Sequence, residues 1–313
     1  MAWLPFWPAS ASVTADAVDR IFLAELALVF LILIFVFGMM LLFAIRYRCG
    51  SPAPRQAPRK SWRWEIGWTS LTLVAFLVLF AWGAHGYVYL YQPPRADLEI
   101  YVVGKQWMWK VQHPGGQREI DALHVPLGKT VRLVLGSEDV IHSFYIPAFR
   151  VKHDVVPGSF EVFWFKPDRL GTYRIECAEY CGTGHADMTG EVTVMRPADY
   201  AQWLTDQGVN PSLAESGAAL FRKYGCSGCH DPGGTVHAPS LHGVYGSLVH
   251  LQGGETVLAD ERYIRDCILE PHLRIPAGYA PIMPSFAGQI SEEDLMQLLA
   301  YIQSLAHRPE EQP

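Results

Sequence analysis

Two short runs in this chain gather side chains that bind metals. The first is Cys177-Ala178-Glu179-Tyr180-Cys181-Gly182-Thr183-Gly184-His185-Ala186-Asp187-Met188. Two thiols, an imidazole and a thioether make a soft donor set, which selects copper. A mononuclear blue-copper site uses one Cys with two His, so the second thiolate lets two sulfurs bridge two metal ions. A second imidazole must come from elsewhere. His142, in Val140-Ile141-His142-Ser143-Phe144, is the best candidate, and His153, before the Pro157-Gly158 turn, is its rival. Zinc suits a Cys₂His₂ set but leaves Met188 idle, and a Cys177–Cys181 disulfide is the other alternative.

The second run, Cys226-Ser227-Gly228-Cys229-His230, is a C-x-x-C-H pattern, which reads as c-type haem attachment. The thiols bond the haem vinyl groups and His230 supplies one axial ligand; the alternative is a chance dithiol beside a histidine. For the sixth position Met283, on the Pro-rich loop Pro281-Ile282-Met283-Pro284, is the candidate, and a Met/His pair raises the potential. Met296 falls inside a predicted helix and reads as core. His237, His242 and His250 are rival ligands.

Several kinds of element must position these groups. Residues 21–45 and 66–87 are apolar and long enough to cross a bilayer, which takes about 20 residues. Between them lie Arg46, Arg48, Arg55, Arg59, Lys60 and Arg63 with no acidic residue. Positive loops stay in the cytoplasm, which places this loop inside and both termini outside. No basic start precedes the first span, so it reads as a retained helix and not a cleaved signal. Short β-rich runs follow at 98–103, 106–112, 130–135, 140–146, 160–165, 172–176 and 190–194, a spacing that predicts a β-sandwich or barrel. A polar link over 197–211 carries a possible short helix near 200–204. Helical signals then appear at 213–223, at 260–269, and from Ser291 through 305, where Ser291 and Asp294 suggest a capping box.

The first run resembles the motif C-x-E-x-C-G-x-x-H-x-x-M of the binuclear copper (CuA) domain of subunit II of haem–copper oxidases, and the resemblance extends over residues 21–194. It implies copper ligation by His142, Cys177, Cys181, His185 and Met188, and by Glu179 through its carbonyl, with the Glu179 side chain helping to hold a magnesium ion at the border with subunit I. On residue chemistry alone Glu179 would be a surface carboxylate. Lys105-Gln106-Trp107-Met108-Trp109 resembles the family's Q-W-Y-W stretch, with Met108 in place of Tyr. The resemblance makes Trp107 the point of electron input from a cytochrome c; otherwise it faces the chain's own haem domain or is a strand-face aromatic. Glu65, in Trp64-Glu65-Ile66-Gly67-Trp68, matches a glutamate at the inner mouth of a proton pathway; its other reading is an interfacial Glu in a belt of Trp62, Trp64 and Trp68. Residues 212–305 resemble class I cytochromes c, whose final loop M-P-x-F matches Met283-Pro284-Ser285-Phe286.

Taken whole, the chain resembles subunit II of a bacterial caa-type cytochrome c oxidase. The implied organisation is an outer segment 1–20, a helical hairpin 21–91, a cupredoxin-like domain 92–196, a linker 197–211 and an all-α cytochrome domain 212–313. The implied cofactors are two copper ions, one covalent haem c, and magnesium at the subunit I border. The implied partners are subunit I, subunit III, membrane lipid, and a cytochrome c or quinol-oxidising complex as donor. The implied location is the bacterial inner membrane with the metal domains on the periplasmic side. Electrons would pass from donor to haem c, to CuA, to subunit I, where dioxygen is reduced with proton translocation; no catalytic residue is expected in this chain, because two spans with so few histidines cannot house the further haems. A CuA-bearing nitric oxide reductase subunit, and a copper chaperone or free electron shuttle, are the alternatives.

Composition sets the outer limits. Of 313 residues, 50% are hydrophobic and 18% charged, with a net charge of −6. No basic cluster sits on a soluble segment, so nucleic acid is not a partner. Cys49 and Cys267 read as spare thiols, and Glu25 and His85 as interfacial or helix-packing residues near the outer ends of their spans. From Ser212 onward there are 12 acidic and 6 basic residues, an excess that would steer a basic donor toward the haem.

Overall fold

The computed structural model describes residues 7–55, 61–92, 94–208, 210–231 and 236–306. Arg59 and Lys60 of the basic loop, and Glu310 and Glu311 of the acidic tail, lie outside them. Two compact units result: residues 13–92, and the remainder of the chain.

The first unit is a pair of helices, α1 (Val13–Arg46) and α2 (Trp62–Tyr91). Both overrun the apolar stretches 21–45 and 66–87, because a helix continues through flanking polar turns that can still close their backbone hydrogen bonds. Their apolar windows are wholly uncovered within the chain, in contrast to a core helix of a soluble protein. Phe35 is 65% exposed and Phe80 72%. Such a surface is stable in lipid, where a helix satisfies every backbone group internally. Glu65 stands in the first turn of α2, among the exposed Trp62, Trp64 and Trp68. Glu25 borders a groove of about 510 Å³ with Gly83 and Ala84.

The second unit begins at the strand-rich segment. Ten strands form two sheets: β1 (Leu98–Lys105), β2 (Met108–Gln112), β3 (Arg118–Ile120), β5 (Val131–Ser137) and β8 (Glu161–Phe165) in the order β3-β2-β1-β5-β8, and β4 (Ala122–Pro126), β6 (His142–Ile146), β7 (Val151–Val155), β9 (Gly171–Cys177) and β10 (Thr189–Met195) in the order β4-β10-β9-β6-β7. This is the cupredoxin-like sandwich that the sequence predicts, with three further strands, β3, β4 and β7. β3 is only three residues long, β4 (ALHVP) carries a histidine and a proline, and β7 (VKHDV) has three polar residues in a row, which weakens the alternation signal. The segment before α1 joins this unit: the Ala11 amide donates to the Ala148 carbonyl at 2.9 Å, and the Ser12 hydroxyl to that of Phe149 at 2.9 Å.

Side chains alternate along β1 and β5. Ile100, Val102, Leu133 and Leu135 point between the sheets with Trp109, Phe144, Phe149, Phe165 and Ile175. Tyr101, Val103 and Val134 point the other way, and with Phe160 they form a second core against the helical part of the chain.

That part comprises α3 (Pro197–Asp206), α4 (Leu213–Lys223), the single turn α5 (Ser227–His230), a small hairpin of β11 (Leu248–His250) and β12 (Thr256–Leu258), α6 (Glu261–Leu269) and α7 (Glu292–Ser304). α4 opens on a full capping box: Ser212 and Glu215 each accept from the other's amide. At α7 the expected box is half formed. Ser291 accepts from the Asp294 amide, but the Asp294 carboxylate accepts the Tyr224 hydroxyl at 2.9 Å instead. α4 and α7 cross so closely that a Cβ on Gly217 would lie 1.9 Å from the Gln297 carbonyl oxygen. Leu295, Met296 and Leu299 of α7 are buried in the second core; Met296 reaches over Gly136 of β5, in keeping with its reading as a packing residue.

The link 197–211 is more structured than its polar composition predicts. α3 packs Tyr200 and Trp203 on the buried His113 and the half-buried His124. His113 lies 2.8 Å from Glu119 Oε1 and 3.0 Å from the Tyr200 hydroxyl, and His124 lies 2.5 Å from Glu119 Oε2 and stacks on Trp203. Burial raises the Glu119 carboxyl, but the bonds from His113 and His124 outweigh it and hold it at about 2, against an ordinary 4.5. A depressed carboxylate contributes stability above its unfolded value and loses it as pH falls toward the folded one. Glu119→Gln should therefore lower the melting temperature at neutral pH by roughly 2–4 °C for each kcal/mol lost. The gap from the unsubstituted protein should close as pH falls from 4.5 to about 2. Thermal scans across that range check both, and a gap that does not change with pH would refute the charge argument.

Candidate copper and haem sites

The β5–β6 connection, the end of β9 and the loop before β10 bring the first motif together. Cys177 closes β9 and His142 opens β6, strands paired with Phe144 opposite Cys177. Cys181, His185 and Met188 follow on the β9–β10 loop. The Cys177 and Cys181 sulfurs lie 3.8 Å apart and unbonded, far beyond the roughly 2.05 Å of a disulfide. Cys181 Sγ is 3.6 Å from His185 Nδ1 and 3.8 Å from Met188 Sδ. Cys177 Sγ lies 3.3 Å from the Glu179 carbonyl oxygen, while the Glu179 side chain is exposed. His142, Cys177 and Cys181 turn one donor atom each into a single buried cluster. His153 lies outside it, with its ring stacked on Phe163.

Two observations test this cluster against a metal. His142 Nε2 bonds Asp139 Oδ1 at 2.8 Å, which leaves its buried Nδ1 with no hydrogen-bond partner; an orphaned buried nitrogen is costly unless something binds it. The thiols also cannot both ionise unaided. Burial opposes the Cys177 thiolate, yet His142 and the backbone of Ser143 and Glu179 bring it down to about 6, whereas burial and the neighbouring Cys177 charge push Cys181 up to about 12. A cation between the sulfurs removes that conflict. The residues fit a soft metal centre.

Residues outside the motif shape this site. Gly104 is required beside His142, because a Cβ there would lie 3.0 Å from the imidazole; Trp109 meets the same ring edge-on at 5.9 Å. Trp107 stands in the β1–β2 turn and not on a strand face, so the run 106–112 is strand only from Met108. It is 38% exposed, its Nε1 donates to the Cys181 carbonyl at 3.2 Å, and its ring covers Gly184, where a Cβ would lie 2.5 Å away. Asp139, Gly104 and Trp109 carry no sequence signal as site residues beyond proximity to His142 or the Q-W-x-W stretch.

The second motif opens onto a cavity of about 640 Å³, lined by Cys226, Cys229, His230, Met283 and apolar residues such as Phe221, Ile264 and Leu298. His230 Nδ1 donates to the Pro239 carbonyl at 2.9 Å, fixing a tautomer whose Nε2 is free to bind a metal. Met283 packs against the second core. His237 and His250 share the cavity wall, but His237 stacks on Tyr279 at 4.8 Å and His250 bonds Thr256 at 2.8 Å; His242 does not line it. Volume, apolar lining, two thiols and an oriented imidazole fit a covalently held haem.

Among the described residues that line the haem cavity none is acidic, although Asp231 and Glu270 adjoin the lining residues His230 and Pro271 in sequence. Arg132 pairs with Glu99 and Glu261, Lys110 with Glu293 at 2.7 Å, and Arg265 with Glu292 at 2.6 Å. Glu261, Glu292 and Glu293, with Asp294, face the sandwich or its neighbouring helices, so these four of the twelve acidic residues are engaged within the chain.

Comparison with known proteins assigns the two segments that carry these motifs to two families. The family model for the periplasmic domain of cytochrome c oxidase subunit II matches residues 115–195, and that for cytochrome c matches 214–306. An alternative cytochrome c oxidase subunit 2 of Bradyrhizobium diazoefficiens is 31% identical over 58% of this chain and 76% of its own length. A cytochrome c oxidase subunit 2 of Alkalihalophilus pseudofirmus is 28% identical over 88% of this chain and 83% of its own. The solved periplasmic domain of cytochrome oxidase subunit II from Bradyrhizobium japonicum is 32% identical over 37% of this chain and 96% of that one, with a TM-score of 0.36. The copper-type domain implies CuA, the C-x-x-C-H domain implies haem, and with them the chain belongs to the cytochrome c oxidase subunit 2 family, carrying a cytochrome c domain after its cupredoxin-like one.

Proposed function

We propose that this chain is the electron-input subunit of a proton-translocating terminal oxidase: electrons from a cytochrome c or quinol-oxidising complex reach haem c, then CuA, then the dioxygen-reducing centre of subunit I. The observation that carries this reading is that the His142–Cys177–Cys181 cluster and the haem cavity belong to one compact unit joined by a shared core. A chaperone needs neither that cavity nor the buried Met188. A nitric oxide reductase subunit shares the architecture and differs in its partner.

When bound, the two groups supply one-electron redox chemistry that side chains lack. The chain's own residues do the rest. His142, Cys177, Cys181, His185, Met188 and the Glu179 carbonyl hold two coppers; Cys226, Cys229, His230 and Met283 hold the haem. Phe144, Met188 and Trp109, all fully buried, exclude water from the copper side. Trp107, partly exposed and hydrogen-bonded to a ligand's carbonyl, suits electron input at the copper. In this reading the exposed Glu179 carboxylate helps to hold magnesium at the subunit I border, and Glu65 serves the mouth of a proton pathway. The basic loop supports a cytoplasmic side for itself, which leaves both termini and the metal domains on the outer side. Subunit III and lipid complete the expected surroundings.

Three outcomes are expected. Metal analysis with a haemochrome assay should give two coppers per haem; one copper per haem, or zinc in place of copper, would end the binuclear reading. Cys181→Ser should abolish the near-infrared band and the mixed-valence EPR pattern and leave the haem α-band, because one sulfur cannot bridge both metals in the same geometry; an unaltered copper spectrum would refute the ligand set. Met283→Leu should leave the haem attached and lower its potential, read by redox titration; an unchanged potential would transfer the sixth position to His237 or His250.

A further inference from the structure

One lysine ties the haem-bearing helices to the loop that carries His142. Lys110 Nζ, on β2, lies 2.8 Å from Glu138 Oε1 and 2.7 Å from Glu293 Oε1. On one side Glu293 adjoins Asp294, which accepts the Tyr224 hydroxyl at 2.9 Å, and Tyr224 stands on the haem-cavity wall two residues before Cys226. On the other side the Glu138 amide donates to the Gly104 carbonyl at 3.0 Å, beside the His142 ring, and Glu138 adjoins Asp139, the partner of His142 Nε2. The side chains of Lys110, Glu138 and Glu293 are 23%, 18% and 23% exposed, so bulk water screens the contact weakly.

We propose that Lys110 is a positioning residue for electron transfer between the haem and the copper pair, holding the N-terminus of α7 against the His142 loop. The proposal rests on the electron-relay reading above. In that step one electron leaves ferrous haem and reduces the oxidised copper pair, and no bond is made or broken at Lys110. The lysine acts on distance. Without it, the Glu138 and Glu293 carboxylates face each other across the contact as like charges. Lys105 neutralises only Glu138, at 2.9 Å from Oε2. Electronic coupling falls exponentially with separation, so a small parting of the two segments changes the rate strongly.

The test uses the full chain in the assembled, purified oxidase. Haem c is reduced by one electron from a flash-excited ruthenium polypyridyl complex, regenerated by a sacrificial amine donor, and haem oxidation and copper reduction are then followed optically. Lys110→Met should slow the transfer about tenfold, within the range that a sub-ångström to ångström misplacement produces, with the haem α-band and the copper near-infrared band unchanged. Lys110→Arg should restore the rate. Adding Glu293→Gln to Lys110→Met should recover part of it, because the repulsion is relieved. In the full chain stripped of metal, amide exchange over residues 138–142 and 292–295 should quicken in Lys110→Met and stay unchanged in α3. Glu293→Gln alone is the gentler variant should Lys110→Met not assemble, and it should quicken the same amides. An unchanged transfer rate with both bands present, or unchanged exchange in these segments, overturns the role of Lys110. Absence of either band from the unsubstituted protein overturns the relay reading and this proposal with it.

Discussion

Burial of β1 and β5 on both faces is the constraint on which the arrangement of the metal sites depends. A sheet that covers one core shows apolar and polar residues in alternation, whereas a sheet covered on both sides carries apolar residues at every position. Ile100, Tyr101, Val102 and Val103 are all buried, as are Leu133, Val134 and Leu135. Even-numbered β1 residues hold the sandwich together and odd-numbered ones receive α7. Each large apolar side chain so buried contributes roughly 1.5–3 kcal/mol. The same short strands therefore stabilise the copper-side fold and fix where the haem-bearing helices rest. Polar contacts at the margin set register: the Tyr101 hydroxyl lies 2.7 Å from Glu99 and 2.8 Å from Gln303 of α7, and Arg132 bridges Glu99 to Glu261 at the start of α6.

Inside the sandwich a second constraint governs the metal cluster. Two thiols 3.8 Å apart in a buried place resist joint ionisation, and the environment answers unequally. Cys177 is drawn toward the thiolate by His142 and backbone groups, and Cys181 is held as a thiol by burial and by its neighbour. His142 is itself fixed by Asp139, by the bare backbone of Gly104 and by the edge of Trp109. The geometry is thus set before any cation arrives, and the loop bearing Cys181, His185 and Met188 closes over it with Met188 fully buried.

What could be read from the sequence follows from the range of the signals. The ligands are declared by type and spacing, because Cys177 to Met188 and Cys226 to His230 are each contiguous, and His142 is called for by the chemistry of the first set. The hairpin is legible because length and apolarity are local properties. The residues around the ligands are not legible. Asp139, Gly104 and Trp109 matter only through a tertiary contact with His142, and no local pattern encodes it. Trp107 was assignable to a strand by its neighbours, yet the chain turns there to bring its ring over Gly184. Asp294 has the spacing of a capping residue, but Tyr224 competes for its carboxylate and wins. The docking of the helical domain left one trace, the unbroken apolar run in β1 and β5, which periodicity alone cannot distinguish from a strand buried within a single large core.

A count of residues from Ser212 onward suggests a negative surface that draws in a basic donor. The fold redirects that charge: Glu261, Glu292 and Glu293 meet Arg132, Arg265 and Lys110, and Asp294 meets Tyr224. Long-range steering depends on the field outside the molecule, and paired, half-buried charges contribute little to it. What the pairs supply instead is orientation between two domains whose relative position sets an electron-transfer distance. Four of the twelve carboxylates that look, in the sequence, like a lure for a partner in solution are engaged within the chain, at or beside the contact with the sandwich. The described lining of the haem cavity is largely apolar, with Leu248 and Ile282 exposed and Arg274, paired with Asp266 at 3.5 Å, on its wall; that face offers apolar surface and not a cluster of like charges.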